Sequence, residues 1–189
     1  VLRYYFVRVF SSGHDGKFSL DDLRERYHSE LGNDLGNPVL RVIKLVEGRL
    51  GGSAAAPDGF EPELDASAVI GQFSKSVDAR EHHRALDALW SFVRRTNAYL
   101  NENAPWKEED DAVFHRVLYN SLYAMRTISY LIQPVMPNVA ASIAAQLGFT
   151  IDGQRCPKDD RSEYNVKRSD PLFPRIEDPA KDKKNDQGK

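Results

Sequence analysis

The chain has 189 residues, enough for a moderate single domain with a sizeable core, or a domain plus an appendage. Hydrophobic residues make up 41% and charged residues 29%, values of an ordinary globular protein. The formal net charge is only -2, so any attraction to nucleic acid or to a membrane must come from a local patch. One cysteine, Cys156, rules out an internal disulfide or a four-cysteine zinc site and fits a reducing, cytosolic setting.

No apolar run approaches the roughly 18 to 20 residues that span a bilayer, and no signal peptide is visible. Val1-Leu2-Arg3-Tyr4-Tyr5-Phe6-Val7 opens the sequence directly on an apolar run, which reads as a piece of a longer chain. By pattern alone, residues 1–10 fit a helix or a strand. A loop with Gly13 and Gly16 follows. Ser19, with Asp22 three residues on, predicts a helix N-cap. Leu23, Tyr27, Leu31, Leu35, Val39, Val42, Ile43 and Val46 then recur at mostly helical spacing on one broad face.

Pro38 lies inside that pattern. It has no amide proton, its ring opposes the carbonyl of Asp34, and it biases Asn37 away from helical dihedrals. A kink, or the end of one helix and the start of another, is expected there. Gly48, Gly51 and Gly52 are read as ending the element, and residues 51–59 as a surface loop.

A second helix is expected from near Asp65, with Val69, Ile70, Phe73 and Val77. A third holds Ala85, Leu86, Leu89, Trp90, Phe92, Val93, Tyr99 and Leu100 and stops at Ala104-Pro105. A fourth covers residues 110–132 and is broken by Pro134 and Pro137; a short fifth ends at Gly148, a natural C′ residue. These patterns predict an all-α fold, a helical bundle of about five helices, filling residues 1–150. Residues 151–178 are expected to be extended and packed on the bundle. Residues 179–189, charged and poor in apolar side chains, read as a disordered tail.

Chemistry of the usual catalytic kinds is missing. There is no glycine-rich phosphate loop. His82 and His83 are neighbours, about 100° apart on a helix, and have no cysteine nearby, so a shared metal is not expected. His115 beside Asp111 reads as an ion-pair face. Cys156 has no histidine close in sequence to activate it. Acidic residues gather as Asp21-Asp22 and Glu108-Glu109-Asp110-Asp111 at expected helix starts, where they complement the helix dipole. No catalytic residue, metal site or cofactor site is assigned to this segment.

Two clusters carry more information. Asn37 and Arg41 are four apart, so a helix would place an amide and a guanidinium on one face, able to bond the edge of an unpaired base. Trp106 follows Ala104-Pro105, where a helix-ending proline can display an indole at the rim of a bundle; unpaired RNA bases stack on such rings. The same residues also fit plain readings, a polar helix face with an ordinary ion pair and a hydrophobic plug over a loop.

The order of these segments resembles the anticodon-binding domain of methionyl-tRNA synthetases. Leu2-Arg3-Tyr4-Tyr5 is similar to the family's "ALRYYLLR", and Asp15-Gly16-Lys17-Phe18-Ser19 to its "DGDFSW". Arg26-Tyr27 and Asn33-Asp34-Leu35-Gly36-Asn37 with Arg41 are similar to "RYNADLANDLGNLLNR". Asn97-Ala98-Tyr99-Leu100 through Ala104-Pro105-Trp106 resembles "NKYIDETAPW". Pro134-Val135-Met136-Pro137 with Gln146-Leu147-Gly148 looks like "PFMP…LG", and Pro171-Leu172-Phe173-Pro174-Arg175-Ile176 like the closing "PLFPRI".

The resemblance implies that Asn37, Arg41 and Trp106 recognise the CAU anticodon loop of methionine tRNA, with Pro105 shaping the turn. It also implies a cytoplasmic methionine–tRNA ligase whose catalytic domain, a further partner, uses ATP with Mg and carries HIGH and KMSKS motifs. Neither motif occurs here, and any zinc knuckle would lie upstream. Pro38 departs from the family's usual leucine and is expected to tilt Asn37 relative to Arg41. The competing readings are the anticodon domain of another class I synthetase, which would lack the joint N-x-x-x-R and A-P-W signature, and a helical protein-interaction module.

Overall fold

The computed structural model describes residues 1–11, 13–151 and 163–176. Cys156 and the tail expected over residues 179–189 lie outside them. Among the described residues the chain is mostly helical, with one two-stranded sheet.

The opening apolar run is a helix, α1 (Leu2–Val9). Its Tyr4 and Tyr5 are buried, and Tyr4 lies against Trp90 with ring centroids 4.7 Å apart. Ser19 caps α2 (Leu20–Arg26), its hydroxyl accepting from the Asp22 amide at 3.2 Å. Asp22 does not complete a capping box; its carboxylate pairs with Arg26 at 3.1 Å.

From α2 the helix continues without a break through a π-helical stretch, Tyr27–Gly36, into α3 (Asn37–Leu50). Of the kink or helix boundary expected near Pro38, the structure shows a change of winding from π to α between Gly36 and Asn37, with no interruption of the helix. Asn37 has φ -63° and ψ -44°, inside the right-handed helical region. Pro38 stands in the first turn of α3, where an α-helix has no need of its missing N–H. The looser i→i+5 winding just before it gives the ring room. Gly48 also fails to end the helix. The end comes at Gly51, which adopts φ +66° as a left-handed cap.

Residues 51–59 are not simply a loop. They contain β1 (Ser53–Ala55), whose Ala54 is buried. Next come α4 (Ala66–Asp78), capped by Asp65, and α5 (His82–Asn103). Pro105–Lys107 form one 3₁₀ turn. Asp110 then caps α6 (Asp111–Ile132), accepting from the amides of Ala112 and Val113. The final helix is α7 (Pro137–Gln146). Buried faces of α3, α4, α5, α6 and α7 meet in one hydrophobic core.

Beyond the gap, β2 (Glu163–Asn165) pairs antiparallel with β1, with Ala54 opposite Tyr164. Val166 N–H donates to the Gly52 carbonyl at 2.8 Å, and Lys167 N–H to the Gln146 carbonyl at 2.8 Å. Further on, Tyr27 donates its hydroxyl proton to the Pro174 carbonyl at 2.6 Å, and Phe173 lies edge-on to Tyr27. The aliphatic and aromatic side chains of this segment thus strap it along the bundle.

Gly148 lies against the strap at Asn165. It has φ +80°, and a Cβ there would stand 2.3 Å from the Asn165 carbonyl oxygen. Gly148→Ala should therefore destabilise the fold by about 2 kcal/mol or more, from backbone strain and displacement of β2 together. Urea denaturation measures it; a loss below about 0.5 kcal/mol would mean the strap is not seated there.

Candidate nucleic-acid interface

α5 ends where Pro105 cannot continue it. The proline disfavours a right-handed helical Ala104, which takes φ +38° and ψ +57°. Its amide still donates to the Leu100 carbonyl at 3.0 Å, closing the helix. The 3₁₀ turn is tied by Lys107 N–H to the Ala104 carbonyl at 2.8 Å. Pro105 is buried and anchors the turn, while Trp106 projects from it with 43% of its surface exposed.

Arg49, at the end of α3, holds the chain that follows. Its guanidinium lies over the Phe114 ring at 4.2 Å, donates to the Glu108 and Glu109 carbonyls, and pairs with Asp111 at 2.6 Å. A planar fork with five donors suits three acceptors spread over one loop. No sequence signal singled out this residue, because its partners lie about 60 positions away.

Arg41 comes from the second turn of α3. Its guanidinium carbon lies 5.1 Å from the Trp106 ring centroid, within cation–π range. Its Nη1 donates to Asn101 Oδ1 of α5 at 3.4 Å. Arg41 and Trp106 are thus side by side, and both face solvent. Asn37 is exposed one helical turn before Arg41, and its amide donates to Asn33 Oδ1 at 3.2 Å. The structure therefore keeps Asn37 and Arg41 on consecutive turns of an unbroken helix, in place of the tilt expected from Pro38. The asparagine is occupied by a neighbouring amide that the sequence reading did not mark.

Beside this surface opens a cleft of about 250 Å³ between the π-helical stretch, the start of α3, and α5. It is lined by Asn33, Asp34, Pro38, Arg41, Asn97, Leu100 and Asn101. Asn33, Asn97 and Asn101 each offer donors and an acceptor, a lining suited to the edge of a base. Burial pushes the Asp34 carboxyl above its ordinary range; Arg94 opposes that and Glu30 adds to it. Sequence reasoning missed Asn33, Asn97 and Asn101 as functional candidates. They stood inside the quoted motifs, and only their pairing with α3 side chains and with the Asp34 carbonyl of the π-helical stretch marks them.

A second group of charges ties α1 to the bundle. Glu30 accepts from Tyr4, pairs with Arg8 at 3.2 Å and with Arg26 at 3.2 Å, and Arg8 also pairs with Asp87. Burial, together with the Glu30 carboxylate, keeps the Tyr4 phenol protonated, far above its usual range. Among the described residues no group of three or more His, Cys, Asp or Glu is arranged to hold a metal ion, and no helix is long and apolar enough to cross a membrane.

A helical bundle that presents a cation, a half-exposed indole and an amide-lined cleft at one rim has the parts that contact with unpaired bases requires. Comparison with known proteins names the family. Residues 53–184 match the family described as the anticodon binding domain of methionyl tRNA ligase, and residues 1–43 match class I tRNA synthetases (M). The chain belongs to the anticodon-binding domain family of methionyl-tRNA ligases.

Among relatives, the methionine–tRNA ligase of Streptococcus pyogenes serotype M3 is 33% identical over 196 residues, which is 93% of this chain and 29% of that protein. The Bacillus subtilis methionine–tRNA ligase is 30% identical over 194 residues, again 93% and 29%. The chain therefore spans less than a third of the relatives' length. Among solved structures, the free-state methionyl-tRNA synthetase of Mycobacterium tuberculosis superposes with a TM-score of 0.81 at 30% identity, over 94% of this chain and 39% of that one. The form bound by methionyl-adenylate gives 0.80 at 29% identity, over 92% and 37%.

Proposed function

We propose that this domain reads the CAU anticodon loop of methionine tRNA. Trp106 offers its open face to the first anticodon base, and Arg41 and Asn37 bond base edges beside it. Pro105 fixes the turn that displays the indole. The observation that carries this reading is the Arg41 guanidinium held 5.1 Å from a Trp106 ring that remains 43% exposed. A buried indole would have been a plug, and an isolated one would have had no polar partner with which to choose a base. Here a stacking face and a charged donor share one rim, as unpaired RNA bases require.

In this reading the domain serves a cytoplasmic methionine–tRNA ligase. ATP with its Mg, methionine activation and transfer to tRNA belong to a catalytic domain outside this segment. The catalytic domain has a natural seat on the face of α1. Leu2, Phe6, Phe18 and Leu20 are each about half exposed there, and the Phe6 ring stacks on Phe10 and Phe18. These residues fall inside the stretch that matches class I synthetases.

Titration of a CAU stem-loop at two salt concentrations tests the nucleic-acid reading. Affinity should fall steeply as salt rises, because cations are released from phosphates on binding. A salt-independent affinity would instead favour apolar protein docking.

A further inference from the structure

The segment that displays Trp106 is held by α3 at two places. Arg41 lies against the indole itself, its guanidinium carbon 5.1 Å from the ring centroid. Eight residues on, about 12 Å along the helix at 1.5 Å per residue, Arg49 grips the link between the 3₁₀ turn and α6. Its Nη1 donates to the Glu108 carbonyl, its Nη2 to the Glu109 carbonyl at 2.9 Å, and its Nε to the Asp111 carboxylate at 2.9 Å. The guanidinium carbon lies 4.2 Å from the centroid of the buried Phe114 ring, which fixes the plane of the fork. Among the described residues, every hydrogen bond that reaches residues 107–111 from outside the turn and α6 comes from Arg49. The turn's own closing bond, Glu108 N–H to the Pro105 carbonyl, is 3.2 Å, at the long end of the normal range. Glu108 and Glu109 are the second and third residues after Trp106, so their anchoring sets where the turn leaves and where the indole stands against Arg41.

We propose that Arg49 is a positioning residue for RNA recognition: by fastening the link after the turn to the end of α3, it holds the Trp106 indole beside Arg41 before any base arrives. The proposal rests on the anticodon-binding reading above. It adds that the stacking face is preorganised by a residue that meets no base, through the two carbonyls that follow the indole. A lysine keeps the charge but is a single point on a flexible stem, and it cannot serve three acceptors spread over one link.

The test is a double-mutant cycle in this 189-residue chain, read by binding of a CAU-bearing RNA stem-loop. Arg49→Lys and Arg49→Gln should each weaken binding by about five- to tenfold, because a freed turn presents the indole correctly for only a fraction of the time. The slope of affinity against salt should stay as in wild type for Arg49→Gln; a slope flatter by about one would mean a direct phosphate contact and would overturn the proposal. Combined with Trp106→Ala, either Arg49 change should cost less than about twofold more, since the residue acts through the indole. A second readout needs no RNA. Trp90 is fully buried, so of the two tryptophans acrylamide reaches Trp106, and its fluorescence should be quenched more readily in both Arg49 variants. Wild-type affinity for Arg49→Lys, additive penalties in the double variant, or a lowered Tm with quenching unchanged would each sink the positioning role. Trp106→Ala alone is the control for the reading beneath it. If it binds as wild type does, the anticodon reading itself fails, whereas its weakening beside an undiminished Arg49→Lys removes only the role of Arg49.

Discussion

Replacing Trp90 by alanine should cost the fold about 3–5 kcal/mol, the usual loss for a large aromatic side chain removed from a packed core. Trp90 lies on α5, is fully buried, and has the Tyr4 ring against it at 4.7 Å between centroids. That contact, with the Arg8 pairs to Glu30 and Asp87, fastens α1 to the bundle. The cavity left by the indole would lie under α1, so the helix should lose protection first. Urea denaturation gives the global loss, and amide exchange over residues 2–9 gives the local one. A loss below about 1 kcal/mol would mean that the neighbouring side chains collapse to fill the space.

Trp106→Ala should do the reverse: large loss of RNA affinity, little loss of stability. The ring is 43% exposed and stands on a 3₁₀ turn, so truncation should move the unfolding free energy by about 0.5 kcal/mol or less, as for other surface positions. Stacking of one base on an aromatic face is worth about 1–3 kcal/mol, so the affinity for a CAU stem-loop should fall roughly 5- to 150-fold. The upper part of that range is expected, because Arg41 loses the ring that it lies over. Measured on the same preparations, the two tryptophans thus separate a residue that holds the core from one that meets a partner. Comparable effects of both on stability would contradict the assignment of Trp106 to the rim.

How far the sequence reveals this arrangement depends on the range of the interactions. Helix starts at Ser19, Asp65 and Asp110 and the stop at Gly148 are local signals, and the structure places α2, α4, α6 and α7 accordingly. The π-helical stretch was hidden because Tyr27, Leu31 and Leu35 recur every four residues. That spacing keeps one face inward whether the turns close at i+4 or i+5. At Pro38 a kink or a helix boundary is expected from the residue alone, whereas the i→i+5 winding ahead of it, which no local pattern announces, carries it in the first turn of α3. β1 has a single buried residue, Ala54, in a three-residue strand, too short to alternate, and its partner lies about 110 residues on.

The candidate site was legible to a similar extent. Arg41 and Trp106, chosen as a guanidinium and a displayed indole, stand side by side. Asn37, chosen by helical spacing to Arg41, is engaged by Asn33, an interaction that spacing alone could not rank above its alternatives. Asn97, Asn101 and Arg49 came into view only through their partners on other elements. The turn at Ala104 was expected from the proline, but its left-handed geometry follows from the closure of α5 as well.

The central claim is that the rim formed by Arg41 and Trp106 recognises bases of the triplet in addition to phosphates. It is tested most directly by titrating this domain with two RNA stem-loops that differ only in the first base of the triplet, CAU against a changed base, at one fixed salt concentration. Base-edge bonding predicts at least about tenfold weaker binding of the changed loop, since a well-made contact discriminates by roughly 1–3 kcal/mol. Equal affinity for the two loops would contradict it, leaving a surface that holds RNA without reading it.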